Sequence, residues 1–171
     1  TAKSSTPMWC RKKLEQGIKV VMNETEHDVW EFITNARNEF SKLPIEEISF
    51  PRGCQNVKKY SNAASIYKKG TPIHVRGSLL YNNYLSKYNI DKKYPVITNG
   101  EKVKFCYLKM PNVINENVIS FVNALPKEFE LEPYIDYDTQ FSKSFVEPLG
   151  VILNKIGWTT EPVSTLDEFF G

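Results

Sequence analysis

The chain has 171 residues, of which 41% are hydrophobic, 13% aromatic and 25% charged, with 22 Lys/Arg against 20 Asp/Glu and a formal net charge of +2. That length and composition suit one ordinary domain able to bury its own core, and with no apolar run of roughly eighteen residues a spanning helix is excluded. Cys10, Cys54 and Cys106, odd in number and widely spaced, fit neither a disulfide framework nor a zinc site, so they read as reduced core thiols of a cytoplasmic-type compartment; His27 and His74 show no ligand spacing to them.

The N-terminus, TAKSSTPMWC, lacks the apolar stretch of a signal peptide and does not begin with Met, as expected of an internal piece of a longer chain. Ser5 or Thr6 is predicted to cap a first helix with Pro7 in its first turn, and Cys10, Leu14, Ile18, Val21 and Met22 recur on one face. Thr25 with Asp28 three residues later predicts the cap of a second helix, whose stripe Val29, Ile33, Ala36, Phe40 and Leu43 is ended by Pro44. The short gap between them predicts an antiparallel helical hairpin.

Residues 48–77 hold Pro51, Gly53, Gly70, Pro72 and Gly77 and no long periodicity. Loop with short extended pieces is expected there, with His74 and Arg76 projecting to one face. Leu80, Tyr81, Tyr84 and Tyr88 then fall at helical spacing, as a packed face or a stacking platform. Asn99-Gly100 between two β-rich runs predicts a hairpin in which Val103, Phe105 and Tyr107 alternate with Lys102, Lys104 and Cys106, and NVISFV reads as a further strand. Over 137–156, Phe141, Phe145, Leu149, Ile152 and Ile156 predict a helix kinked by Pro148. The predicted class is α+β, with an N-terminal helical hairpin, a basic loop region with short strands, a small antiparallel β element and a C-terminal kinked helix.

Charge is segregated along this order. Residues 1–47 carry seven Lys/Arg against eight Asp/Glu, 48–90 seven against none, 91–126 five against three, and 127–171 three against nine. A block at +7 beside one at −6 is the pattern of a basic face aimed at a polyanion, although a solvated surface neutralised by other segments has the same composition. Arg52, Lys58, Lys59, Lys68, Lys69 and Arg76 are spread through the predicted loops, interleaved with Ser61, Asn62, Ser65 and Gly70. Such groups donate to phosphate oxygens without reading bases, and Arg adds a bidentate fork. His74 reads equally as a phosphate-facing group or a hydrogen-bonded core histidine.

Other chemistry is scarce. No Walker pattern or G-x-G-x-x-G occurs, and no Ser/His/Asp arrangement can be argued from residue order. Asp136 and Asp138 in YIDYDTQF could hold a divalent metal or begin a helix, where carboxylates are favoured. The segment looks like the Tyr-x-Asp-Thr-Asp motif of polymerase palms, but Gln140 stands where the second aspartate is needed.

Four blocks in order, FPRGCQNVKKY (50–60), IYKKGTPIHVRGSLLYN (66–82), GEKVKFCYLKMPN (100–112) and YIDYDTQFSKSFVEPL (134–149), resemble the thumb, the C-terminal domain, of family B replicative DNA polymerases of the T-even bacteriophage type. The resemblance covers nearly the whole chain. It implies a domain over 1–158 that closes on the primer-template duplex, contacting backbone and minor groove, with Lys59, Tyr60, His74, Arg76, Lys104 and Lys143 facing the duplex. It also implies palm, fingers and exonuclease domains as partners, Mg in the complete polymerase but no cofactor in this fragment, no activity without the palm, no membrane, and the cytoplasm of an infected bacterium as the setting. Two departures matter. A family lysine near the Pro72 turn corresponds to Gly70, with Lys69 one position away, and Glu147 stands where the phage relatives can have lysine, which predicts a weaker grip around 141–152.

Residues 159–171 are expected to form a tail, in which Leu166, Phe169 and Phe170 make an L-x-x-F-F pattern that resembles the sliding-clamp-binding box of replicative polymerases. The usual leading Gln is Val163, so modest affinity is implied; folding back on its own domain is the other reading of the tail. Three functions therefore stand open: a polymerase thumb, a free-standing nucleic-acid-binding or clamp-adaptor module, and a small nuclease using Asp136 and Asp138.

Overall fold

A computed structural model describes residues 5–162. It is α+β, as expected, and divides into two units, one built from the chain up to Leu43 and from Phe141 onward, the other from Pro44–Gln140.

The first unit is helical. Helix α1 spans Met8–Asn23 and α2 Glu26–Phe40, joined by Glu24 and Thr25 and packed on each other. The predicted cap of α2 is present: the Asp28 amide donates to Thr25 Oγ1 at 3.2 Å and the Thr25 amide to Asp28 Oδ2 at 3.1 Å. The Thr25 amide first, and then the Thr25 hydroxyl, which donates to the same carboxylate oxygen at 2.8 Å, hold the Asp28 carboxyl below its usual range. Helix α1 starts differently from expectation. Pro7 itself takes the cap position and no side chain bonds there. Its buried residues are Cys10, Leu14 and Gly17, while Met22 is 76% exposed. Twelve residues beyond Cys10, Met22 has turned about 120° away around the helix. A Cβ on Gly17 would lie 3.3 Å from the Phe32 ring, so the small residue brings α1 close to α2.

The C-terminal helical run of this unit is not a simple Pro kink. Helix α6, Tyr137–Phe141, carries the chain across from the second unit; a π-helical stretch, Ser142–Val146, follows, and then α7, Glu147–Asn154. Pro148 has no N–H to close an ordinary turn, and the wider turn before it, with the Glu147 amide donating to Ser142 O, absorbs the defect. That extra residue per turn shifts the buried stripe to Phe141, Phe145, Leu149 and Leu153, leaving Ile152 half-buried and Ile156 52% exposed. Phe141 lies 5.1 Å from Phe40 and 5.0 Å from Phe145 between ring centres. Each fully buried phenylalanine of this kind contributes about 1.5–3 kcal/mol.

The second unit sets helix α5, Ile73–Lys87, on an antiparallel sheet ordered β1 (Phe50–Cys54), β4 (Glu101–Tyr107), β5 (Val118–Phe121). Pro51 is tolerated because β1 is an edge strand. Short helices α3 (Ile45–Ile48) and α4 (Val57–Tyr60) flank β1, and β2 (Ser61–Asn62) pairs only with β3 (Ile66–Tyr67). Phe50 stacks on Phe105 at 5.2 Å, and Tyr81 packs edge-on against Phe129 at 5.9 Å; Tyr84 and the partly exposed Tyr88 lean on the same ring at 6.2 and 6.1 Å, so the tyrosines form a face packed on Phe129 of which Tyr81 alone is core. All three cysteines are buried and free, as predicted.

Two expectations fail here. Gly77 is no loop residue; α5 begins at Ile73 and Gly77 lies within it, buried against β5. Its intrinsic helix cost of about 1 kcal/mol is offset by the burial of Val75, Leu79 and Leu80. The Asn99-Gly100 turn does form, with Gly100 at φ 85°, but no strand precedes it. The backbone of Ile97 is taken by Asn82, which accepts from its N–H at 2.8 Å and donates to its C=O at 2.9 Å. The turn closes instead on β1, where the Gly100 amide donates to Cys54 O at 2.6 Å. Among the described residues no helix is long and apolar enough to cross a membrane.

Candidate nucleic-acid interface

Four of the predicted phosphate-binding lysines converge on one small hairpin. The β2–β3 ladder pairs Ser61 with Tyr67 and Asn62 with Ile66, and the Lys68 amide extends it by donating to Tyr60 O at 2.8 Å. That pairing brings Lys58 and Lys59, at the end of α4, beside Lys68 and Lys69, and all four are exposed. The tip is closed by Asn62, whose Oδ1 accepts from the amides of Ala64 and Ser65 at 2.8 and 3.1 Å. The Lys59 ammonium lies 5.2 Å from the centre of the half-buried Tyr60 ring. Past Lys69 the chain turns at Gly70, whose φ of 83° is a conformation lysine would adopt only with strain.

The remaining predicted cations are placed elsewhere. Arg52 on β1 lies over the Phe50 and Phe105 rings at 5.7 and 5.3 Å and donates to Pro51 O at 2.8 Å; burial pulls its pKa below the usual arginine value. His74 lies 6.4 Å from Phe105. Burial first, then the Arg52 charge, lowers its pKa, against a hydrogen bond with the Gly53 backbone. Lys104 on β4 donates to Glu46 O at 2.9 Å. Lys143 is exposed on the π-helical stretch of the first unit.

His74 and Arg76 do not share a face. Both belong to α5, where residues two apart point about 200° away from each other. Arg76 reaches over the Tyr67 ring at 5.7 Å and donates through Nη1 to Asn117 Oδ1 at 2.8 Å, with Glu116 Oε2 at 3.4 Å. Glu116 also accepts a short hydrogen bond from the Tyr67 hydroxyl. That bond, with burial, raises the Tyr67 pKa. No local pattern in the sequence singles out Tyr67, Glu116 or Asn117. The signal available was weak: Glu116 is the one acid between Glu101 and Glu128.

The aspartate pair takes the helix-start role. Asp136 accepts from the Thr139 amide at 3.0 Å and hydroxyl at 2.8 Å. Gln140 is fully buried; its Oε1 accepts from the Tyr107 amide at 2.8 Å and its Nε2 donates to Ile48 O at 2.7 Å. Among the described residues, three metal-ligand types gather only at His27, Asp28 and Glu31 on α2, where Asp28 is already engaged in the cap. Leu166, Phe169 and Phe170 lie outside the described residues.

An α+β chain of this kind, with a basic hairpin and a three-stranded sheet, is similar along its whole length to a segment of two phage DNA-directed DNA polymerases. It is 30% identical over 175 aligned residues to the DNA-directed DNA polymerase of Enterobacteria phage T4 and 31% identical over 175 to that of Escherichia phage RB69. The alignments cover 100% and 99% of this chain but 19% of either polymerase, so the chain spans about a fifth of their length. No protein-family model matches it.

Proposed function

We propose that this chain is the thumb of a phage replicative polymerase, gripping the primer-template duplex through its phosphate backbone and reaching a sliding clamp through its C-terminal tail. The observation that carries the reading is the similarity of the whole chain to a fifth of the T4 and RB69 polymerases. The hairpin supports it: four exposed lysines flank a two-stranded ladder, within a 43-residue block that contains no acid, a positive surface of the kind that meets phosphates. Nucleotidyl transfer and its Mg belong to the palm in this reading, and the chain is inactive alone. It works in the cytoplasm of an infected bacterium.

Fluorescence anisotropy of a labelled primer-template and of unrelated duplexes, titrated over salt, tests the grip. The expected result is sequence-independent binding whose logarithm falls by roughly 0.9 per phosphate engaged. Strong preference for one sequence, or no binding at low salt, would overturn it. A free-standing binding module is separated from a thumb by adding the remaining polymerase domains: only a thumb restores primer extension.

A further inference from the structure

The basic block has no acid of its own, yet one of its arginines is not unopposed. Glu116, on the connection between β4 and β5, brings a carboxylate to Arg76 from forty residues away. Arg76 and Glu116 side chains are only 21% and 18% exposed, so their attraction is screened far less than that of a surface pair. The pair is also loose. Arg76 Nη1 makes its closer contact, 2.8 Å, to the neutral Asn117 amide oxygen, and stands 3.4 Å from Glu116. A guanidinium carries five N–H donors and suits bidentate capture of an oxyanion, whereas Arg76 meets Asn117 and Glu116 through the single nitrogen Nη1. Glu116 itself is better held by the Tyr67 hydroxyl, which meets both carboxylate oxygens. The carboxylate is thus anchored independently of the arginine it neutralises. Tyr67 immediately precedes Lys68 and Lys69, so this pair lies at the root of the lysine hairpin.

From this geometry we infer that Glu116 is a resident anion for Arg76, holding the guanidinium in the free protein and yielding it to a backbone phosphate, so that polyanion affinity is set one charge below what the cations alone would give. The inference rests on the duplex-binding reading above. An exchange of one anion for another adds no new ion pair at Arg76, so the arginine contributes less to binding than a hairpin lysine does. Tyr67 keeps the displaced carboxylate hydrogen-bonded, which limits the cost of the exchange.

The test is a duplex titration of the full chain with Glu116→Gln, which keeps an acceptor for both Tyr67 and Arg76 and deletes the charge. Expected are binding several-fold tighter at low salt and a salt slope steeper by about one ion. Glu132→Gln, removing the same charge from an exposed site of the same unit, should leave the slope unchanged. In an Arg76→Gln background, Glu116→Gln should gain nothing. Unchanged or weaker binding by Glu116→Gln, with the fold confirmed by circular dichroism, overturns the inference, as does an equal gain without Arg76. If the wild-type chain binds no duplex, the duplex reading fails, and long-chain polyphosphate becomes the probe. Tighter polyphosphate binding by Glu116→Gln would then support the resident anion, and equal or weaker binding would overturn it.

Discussion

Gly77 on α5 faces Ser120 on β5 so closely that an added Cβ would stand 2.4 Å from the Ser120 hydroxyl oxygen and 2.8 Å from its backbone nitrogen. Helix propensity alone favours Gly77→Ala by about 1 kcal/mol, but a backbone atom cannot step aside as a side chain can. Gly77→Ala should therefore destabilise the chain by about 1–3 kcal/mol, read as a lower urea midpoint. Gly17→Ala supplies the contrast. Its new Cβ meets side chains alone, the Phe32 ring edge at 3.3 Å and Leu149 Cδ1 at 3.8 Å, which can give way, so its midpoint should fall less than that of Gly77→Ala.

Gln140 links two backbone groups of its unit, the Tyr107 amide and the Ile48 carbonyl, from a fully buried position. Gln140→Leu keeps the approximate volume and strands both groups. The expected loss is about 1–3 kcal/mol for each. An aspartate there, as a metal site would require, reaches less far and buries a charge. Gln140→Asp should lower the thermal midpoint further and should confer no metal-dependent cleavage of DNA, a result that gel assays with Mg or Mn would read directly.

His74 gives stability a pH dependence of definite sign. Its folded pKa lies below 6.5, chiefly through burial, so the folded state holds the imidazole neutral while the unfolded chain protonates it first. The stabilisation is complete above the unfolded value of about 6.5. It is lost as pH falls from there through the folded pKa. Urea midpoints measured on either side of that window should fall on acidification in the wild type, and His74→Gln should flatten this part of the profile. A wild-type midpoint rising across the same window would contradict the assignment.

What could be read from the sequence was chemistry completed within a few residues. Thr25 and Asp28 cap one another three positions apart, and Val29, Ile33, Ala36 and Phe40 form a stripe that one helix buries whole. Asn99-Gly100 was legible as a turn but not as to its partner, because the competing claim on Ile97 comes from Asn82, on a helix fifteen residues earlier. The start of α5 was hidden for a related reason. Pro72 and Gly77 are local breakers, and only contact with β5 shows why a glycine belongs inside the helix. At the candidate interface the lysines were visible as composition, but their gathering depends on a two-residue ladder too short to carry periodicity. The Arg76–Glu116 contact crosses forty residues and had no local signature.

The hairpin lysines should act as phosphate contacts rather than readers of sequence. Lys59→Ala is expected to weaken binding uniformly across duplexes and to flatten the salt slope by about one ion, since it deletes one contact. Lys68→Ala or Lys69→Ala should do the same, and whichever has the larger effect identifies the lysine that compensates for Gly70. Arg76→Ala should flatten the slope less than Lys59→Ala, because Glu116 already neutralises that charge in the free chain. A change in sequence preference in any of these variants would argue against a backbone grip.

The tail can be separated from the grip by the same logic. Thr159 is fastened to α2 at two points, its carbonyl accepting from Trp30 Nε1 at 2.8 Å and its amide donating to Glu26 at 2.9 Å. Leu166, Phe169 and Phe170 follow within a dozen residues, so a partner bound to them stands within about 40 Å of that anchor even with the chain fully extended. Phe169→Ala with Phe170→Ala removes both rings without touching a cation. It should abolish binding to the polymerase's sliding clamp in surface-plasmon titrations while leaving duplex affinity and salt slope as in the wild type. An unchanged clamp titration would discard the clamp assignment, and a parallel loss of duplex binding would mean that the rings serve the fold of their own domain instead.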